Sequence, residues 1–308
     1  MSGDLALATR ILQDACGTRV RSAFPLAPLT TFRIGGPAAL YLELESDADL
    51  DAAARAIAEA GLAFVVVGKG SNLLVDDEGF DGLVLRLGRG YRWAARDGNR
   101  LRAGGAMPLP ALAGVALRHG LEGLEFGVAI PASVGGAVRM NAGAHGGQMA
   151  DVVRHIDVFD LEAGERTTIT GSAAGFGYRR AALPRGGVVV EVEVELKPGD
   201  AAEIRRRMEV ARSWRRRTQP LAEPNCGSVF KNPPDDHAAR LIEETGLKGT
   251  RIGGVQVSEK HANFIVASPG ARAADVVALI HLVRQRVRDA TGVDLEPEVH
   301  LLGARPRD

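Results

Sequence analysis

Apolar and polar positions along this chain repeat with two periods, close to 2 and close to 3.6, so strands and helices follow one another. Leu40, Leu42 and Leu44 alternate along a strand. Ser46 and Asp47 offer caps to an Ala-rich helix over Leu50–Ala60, with Ile57 on its apolar face and Gly61 as its stop. Phe64–Val67 is a short, wholly apolar strand that runs into Gly68, and Leu83–Leu87 is another. Arg92–Ala95 and Arg100–Ala103 flank a turn at Asp97-Gly98, the pattern of a hairpin. Pro108–His119 reads as a helix closed by Gly120. Val153–Phe159 and Glu165–Ile169 form a second hairpin around Ala163-Gly164, and Val188–Leu196 is a long strand.

The pattern changes after the break at Pro198-Gly199-Asp200. Ala201–Arg217 is a charged helix with Ile204, Met208 and Ala211 as its inner stripe. Thr218–Asn232 is irregular; His237–Thr245 and Ala271–Ala290 are helices. Ile252–Val257, Ala262–Val266 and Pro297–Leu302 read as strands. Boundaries near residues 88 and 200 divide the chain into 1–88, 89–200 and 201–308.

Composition narrows the class. The 308 residues are 45% hydrophobic and 25% charged, which excludes disordered, collagenous and coiled-coil proteins. Cations and anions balance at 38 each, against a dedicated nucleic-acid binder. Cys16 and Cys226 are too few for a disulfide framework, and the 7 His show no metal-ligand spacing, so no metal is expected. No apolar run reaches the roughly 20 residues of a membrane helix. Met1–Ile11 lacks the basic-then-apolar pattern of a signal peptide. These features predict a cytoplasmic protein without membrane insertion; with no large apolar stripe, a monomer.

Candidate chemistry gathers at glycines. Gly68-Lys69-Gly70-Ser71-Asn72-Leu73-Leu74 follows a buried strand, and successive N–H groups in such a loop can cradle a pyrophosphate. It is neither a Walker A loop nor a G-x-G-x-x-G fingerprint, and alone it reads equally as a β-turn. A second cluster runs from Gly127 through Ile130-Pro131-Ala132-Ser133-Val134-Gly135-Gly136 to Asn141-Ala142-Gly143-Ala144-His145-Gly146-Gly147. Its low bulk and many amides suit a long, flat, phosphate-bearing cofactor, or a pair of packed turns. In Asn225-Cys226-Gly227-Ser228-Val229-Phe230-Lys231-Asn232-Pro233, no nucleophile elbow surrounds Ser228, and in isolation it reads as a turn serine. Glu296 and Glu298 flank Pro297, and Phe176-Gly177-Tyr178-Arg179-Arg180 sets an aromatic beside two guanidiniums. Taken singly, these acids and arginines read as solvated surface. Seven Arg in Arg205–Arg217, interleaved with Glu209, read as a solvated helix face.

Taken in order, these pieces resemble the UDP-N-acetylenolpyruvoylglucosamine reductases, flavoenzymes of bacterial peptidoglycan precursor synthesis. The resemblance runs from Thr30-Thr31-Phe32-Arg33-Ile34-Gly35-Gly36-Pro37 to Leu295-Glu296-Pro297-Glu298-Val299. Gly246-Leu247-Lys248-Gly249 and Ile252-Gly253-Gly254 add to the motifs above. Each is weak singly, whereas their order and spacing are specific.

The resemblance implies an α+β fold: an FAD-binding region of the vanillyl-alcohol-oxidase type in two α+β subdomains, 1–88 and 89–200, and a C-terminal α+β substrate domain, 201–308. It implies noncovalent FAD, since the Gly68–Asn72 loop holds no His or Cys to tether a flavin. It implies NADPH as reductant and UDP-N-acetylglucosamine-enolpyruvate as substrate. By carry-over, Ser228 matches the proton donor, Arg179 the catalytic arginine and Glu298 the catalytic glutamate. Tyr178, Lys231 and Asn232 match substrate contacts. Gly68, Lys69, Gly70, Ser71, Asn72, Leu73, Ile130, Pro131, Ser133, Gly135, Gly136, Asn141, Ala142 and Gly143 match the cofactor loops. Only Arg180–Gly187 separates Arg179 from the next strand, with no Tyr after Tyr178, as in the family's shorter form. His145, His300 and Ala132 depart from the usual Tyr, Arg and Gly. Another flavin oxidase of this fold would need a different C-terminal domain from the one Gly227–Pro233 marks. A sugar-nucleotide sensor would be expected to lack Ser228, Arg179 or Glu298.

Overall fold

The computed structural model describes residues 3–303; residues 1–2 and 304–308, the outer ends of the first and third expected domains, lie outside it. The chain divides into two units. One contains residues up to Ala23, Ala39–Lys69 and Asp81–Trp214; the other contains Phe24–Ala38, Gly70–Phe80 and residues from Arg215 onward. The expected boundaries at 88 and 200 therefore both fall inside the first unit. Two excursions of the chain cause this difference. They carry Phe32, Ile34 and Leu74 into the apolar core of the second unit, and local periodicity holds no signal for so long-range an exchange.

Two sheets form the frame of the first unit. The four-stranded one runs in the order Arg21–Pro25, Pro37–Leu44, Phe80–Leu87, Phe64–Val66. The five-stranded one is antiparallel: Glu165–Thr170, Val153–Asp160, Gly187–Glu195, Arg100–Gly104, Ala94–Asp97. Its central strand explains the long apolar run read from sequence. Val188 and Val190 join one core while Val189, Val192 and Val194 join the other. The register slips where Asp157 pairs with Glu191 and Val158 with Val189, so Val190 is the extra residue of a bulge.

The helix expected over Leu50–Ala60 spans Asp47–Ala60. Its start is fixed by a capping box between Ser46 and Asp49, and Gly61 ends it in the left-handed region. Asp49 is 3% exposed, and its carboxylate accepts from Arg19 at 2.5 and 2.7 Å and from the Glu45 N–H at 2.6 Å. Burial alone would raise this carboxyl; the Arg19 and backbone hydrogen bonds outweigh it and hold it at about 2. Asp49→Ala is expected to cost about 2–3 kcal/mol in urea unfolding at neutral pH, because it removes a cap and strands Arg19. The wild-type contribution is present above the ordinary carboxyl pKa and is lost as pH falls through about 2. A loss under about 0.5 kcal/mol would make the cluster a surface feature.

The second unit holds helices Ala238–Glu244 and Ala273–Thr291 and an antiparallel sheet of Arg251–Ile252, Val255–Val257 and Ile265–Ala267. The expected single strand Ile252–Val257 is thus a hairpin. Gly253 sits at φ +50°, and the Gly254 N–H donates to the Asp275 carboxylate at 3.2 Å. The expected strand from Ala262 begins only at Ile265, because the Phe264 N–H closes a turn onto the His261 carbonyl at 3.0 Å. Leu73–Val75, read as the end of a cofactor loop, is a strand paired in parallel with His300–Leu302. Among the described residues no helix is long and apolar enough to cross a membrane.

Candidate active site

A cavity in the first unit lies between Val66–Lys69, Arg86–Arg89, Ser133 and the start of the Gly187–Glu195 strand. Lys69, Arg86, Arg89, Arg92 and Arg139 line it, against one acid, Glu43. Burial lowers the Lys69 ammonium below its usual range, and Arg86 and Arg92 add like-charge repulsion. Burial likewise lowers the Arg139 guanidinium, which donates to the carbonyls of Gly187 and Pro184. Among the described residues it has no ion pair. Five cations, of which Lys69, Arg86 and Arg139 are half-buried, face a single acid; such a group favours an anion, and a dinucleotide pyrophosphate meets that demand.

Glycines shape the same cavity. A Cβ on Gly68 would stand 2.6 Å from Ser133 Oγ, and one on Gly135 would stand 3.1 Å from the Val189 carbonyl. Ser133 caps the helix Val134–Arg139, its Oγ accepting the Gly136 N–H at 3.3 Å. The amides of the second cluster are largely engaged within the chain. Gly135 N–H donates to the Gly105 carbonyl, Ile130 to Gly127 and Ala142 to Ala137. The expected wealth of open donors is therefore corrected: these small residues give a ligand room, and the cations give the charge. Together the residues fit FAD.

Asn141, expected at the cofactor, is 4% exposed with its carboxamide engaged elsewhere. Its Nδ2 donates to Gln148 Oε1 at 3.0 Å and to the Gly177 carbonyl at 3.1 Å, while its Oδ1 accepts the Ala150 N–H at 2.9 Å. Gly177 and Arg180 exchange backbone hydrogen bonds at 3.0 and 3.2 Å, closing a turn with Tyr178 and Arg179 at its tip. Arg179 occupies φ +56°, the left-handed region costly for a side chain this size. Its guanidinium lies 5.1 Å from the centre of the Tyr178 ring, and Tyr178 is 54% exposed.

In the second unit, the Val229–Lys231 backbone is held by two other segments. On one side the Glu298 N–H donates to the Val229 carbonyl at 2.7 Å and the Lys231 N–H to the Glu296 carbonyl at 2.9 Å. Ser228 and Glu298 are thereby brought onto paired segments. Asn72 Nδ2 donates to the Glu298 carbonyl at 3.0 Å, so this amide holds the glutamate segment. Lys231 Nζ pairs with Glu296 at 2.5 Å, and Asn232 Oδ1 accepts the Ala238 N–H at 3.1 Å. Burial pushes the Cys226 thiol far up, which keeps it inert.

The chain passes from the first unit to the second between Lys69 and Gly70. Gly68 and Lys69 therefore belong with the cation-lined cavity, while Gly70, Ser71, Asn72 and Leu73 belong with Ser228 and Glu298. Ile130 packs on the core and Pro131 is exposed. Gly143 pairs with Gln148 in a short hairpin. Nothing local in the sequence singles out Arg86, Arg92 or Arg139, because lone arginines among 38 cations carry no signal. Among the described residues no cluster of three or more His, Cys, Asp or Glu could hold a metal.

Comparison with known proteins identifies the two parts of the chain. Residues 38–170 match the FAD binding domain, and residues 219–302 match the UDP-N-acetylenolpyruvoylglucosamine reductase C-terminal domain. The protein is therefore an FAD-binding oxidoreductase with an α+β fold. A reductase of that name from Heliobacterium modesticaldum is 49% identical over 96% of this chain and 94% of its own length. One from an Anaeromyxobacter strain is 44% identical over 98% of this chain and 94% of its own. The crystal structure of the corresponding Thermus caldophilus enzyme superimposes with a TM-score of 0.80 at 39% identity, covering 92% of this chain and 99% of that one. The chain belongs to the UDP-N-acetylenolpyruvoylglucosamine reductase family.

Proposed function

We propose that this enzyme reduces the enolpyruvyl ether of UDP-N-acetylglucosamine-enolpyruvate to a lactyl ether, giving UDP-N-acetylmuramate, with NADPH as the source of hydride. The supporting observation is the pairing of the Ser228 and Glu298 segments within one unit. Lys69, Arg86, Arg89, Arg92 and Arg139 would hold FAD noncovalently, and the bound flavin would supply the two-electron chemistry between NADPH and the enolpyruvyl group.

The protein's residues do the rest. Hydride arriving at C3 drives charge onto C2 and the adjoining carboxylate, and Arg179 stabilises that charge where it develops. Ser228 gives its hydroxyl proton to C2, completing addition of one hydride and one proton across the double bond. The alkoxide left on Ser228 regains a proton from water, and Glu298 is the group able to relay it. Tyr178, Lys231 and Asn232 hold the UDP-sugar. An NADPH-oxidation assay with and without the UDP-enolpyruvyl sugar tests this reading: turnover should require the sugar, and the product should gain two hydrogens by mass. Sugar-independent consumption of NADPH with reduction of oxygen alone would refute it.

The cations of the first unit hold the FAD pyrophosphate in this reading. Arg139→Gln should weaken FAD binding to the apoprotein about ten- to a hundredfold, the worth of a charged hydrogen bond. Riboflavin, which has no phosphate, should bind both proteins alike. Flavin-fluorescence titration reads both ligands. Equal losses for the two would make Arg139 a brace for the Gly187 strand and nothing more.

A further inference from the structure

Asn263 meets Val229 and Phe230 on the face opposite Glu298. It is 3% exposed. Its Oδ1 accepts the Phe230 N–H at 2.9 Å, and its Nδ2 donates to the Phe230 carbonyl at 2.8 Å. Its own carbonyl accepts the Val229 N–H at 2.9 Å. One carboxamide thus stands in for a neighbouring strand, satisfying both polar groups of the same residue. The N–H of Asn263 is anchored in turn by His261 Nδ1 at 3.3 Å, and the His261 ring packs on Phe264 at 4.6 Å.

The segment after Ser228 is consequently fixed from two sides. Glu298 and Glu296 hold the Val229 carbonyl and the Lys231 N–H, while Asn263 holds the Val229 N–H and both groups of Phe230. Every backbone polar group from Val229 N–H to Lys231 N–H has a partner, and Ser228 is the residue immediately before this pinned stretch. Asn supplies a donor and an acceptor at this reach; Asp supplies only acceptors, and Gln is one methylene longer. A buried Asn whose amide serves only another residue's backbone has no role in binding a ligand directly, so its function must pass through what it holds.

We infer that Asn263 is the positioning residue for the Ser228 hydroxyl. This rests on the reading of Ser228 as proton donor. Proton transfer tolerates little displacement of the donor, and a shift near 1 Å can cost about 10²-fold. In Asn263→Asp the Phe230 carbonyl faces a carboxylate instead of a donor, so the segment shifts while side-chain size is kept.

The experiment is a double-mutant cycle on the holoenzyme, read by stopped flow as the rate of flavin reoxidation by the UDP-enolpyruvyl sugar divided by the rate of flavin reduction by NADPH. Asn263→Asp should lower that ratio about ten- to a hundredfold. In a Ser228→Ala background the same change should have an effect within about twofold, because the group it positions is gone. Asn263→Ser is read in place of Asn263→Asp if the latter fails to retain FAD. If losses from the two sites multiply, Asn263 acts on something other than Ser228 and the inference falls. It also falls if Asn263→Asp leaves the ratio unchanged. If Ser228→Ala itself leaves the ratio unchanged, it is the proton-donor reading that has failed, and with it the premise of this inference.

Discussion

Arg179→Lys should lose on the order of 10²-fold or more in kcat while keeping FAD and fold. Lysine retains the positive charge but not the planar fork that can pair both oxygens of a carboxylate. The backbone gives a second reason. Arg179 sits at φ +56° in a turn closed by Gly177 and Arg180 and tied to Asn141 at 3.1 Å. A large side chain in that region costs about 1–2 kcal/mol, and such strain persists where the surroundings enforce it, often at functional positions. Arg179→Gly should therefore unfold at equal or higher temperature than wild type and yet be at least as inactive as the lysine variant. That combination separates a catalytic group from a structural one: a structural arginine would lose stability when replaced. A lysine variant within threefold of wild type would return Arg179 to the role of surface charge.

The parts of this molecule that the sequence discloses are those that residue type dictates locally. Gly61 must follow its helix, and a wholly apolar Val188–Val190 run needs burial on both faces, which two cores supply. Gly68 and Ser133 read in the sequence as cofactor-loop residues, and both line the cation-rich cavity. What stayed hidden depends on pairing across long stretches of chain. Asn72 reads as part of a glycine loop, but its side chain serves Glu298, 226 positions away. Asn263 lies 33 positions from the residue it clamps and sits in a stretch that reads as a plain strand. The exchange of Phe24–Ala38 and Gly70–Phe80 into the second unit is illegible for the same reason: each excursion is short and has an ordinary local pattern. Residue motifs thus nominate the side chains to which the chemistry is assigned under the proposed function, and only the fold shows which side chains hold their segments still.

Ser228→Ala should separate the two half-reactions that a steady-state assay merges. Reduction of the enzyme's flavin by NADPH involves no proton at C2 of a sugar, so the variant should bleach at close to the wild-type rate. Reoxidation by the UDP-enolpyruvyl sugar requires that proton if hydride addition is to be committed to product. Anaerobic addition of the sugar to the reduced variant should restore the yellow colour about 10²–10⁴-fold more slowly, the usual worth of a positioned acid. The substitution removes one hydroxyl, and the neighbouring backbone remains tied to Asn263 and Glu298 at 2.7–2.9 Å. Fold and FAD should survive, so a lost rate cannot be assigned to a lost segment. Ser228→Cys should recover part of the rate, since a thiol also carries a transferable proton, and its lower pKa shifts the recovery with pH in a way a packing effect would not. Equal slowing of both half-reactions by Ser228→Ala would mean that the residue shapes the loop and donates nothing.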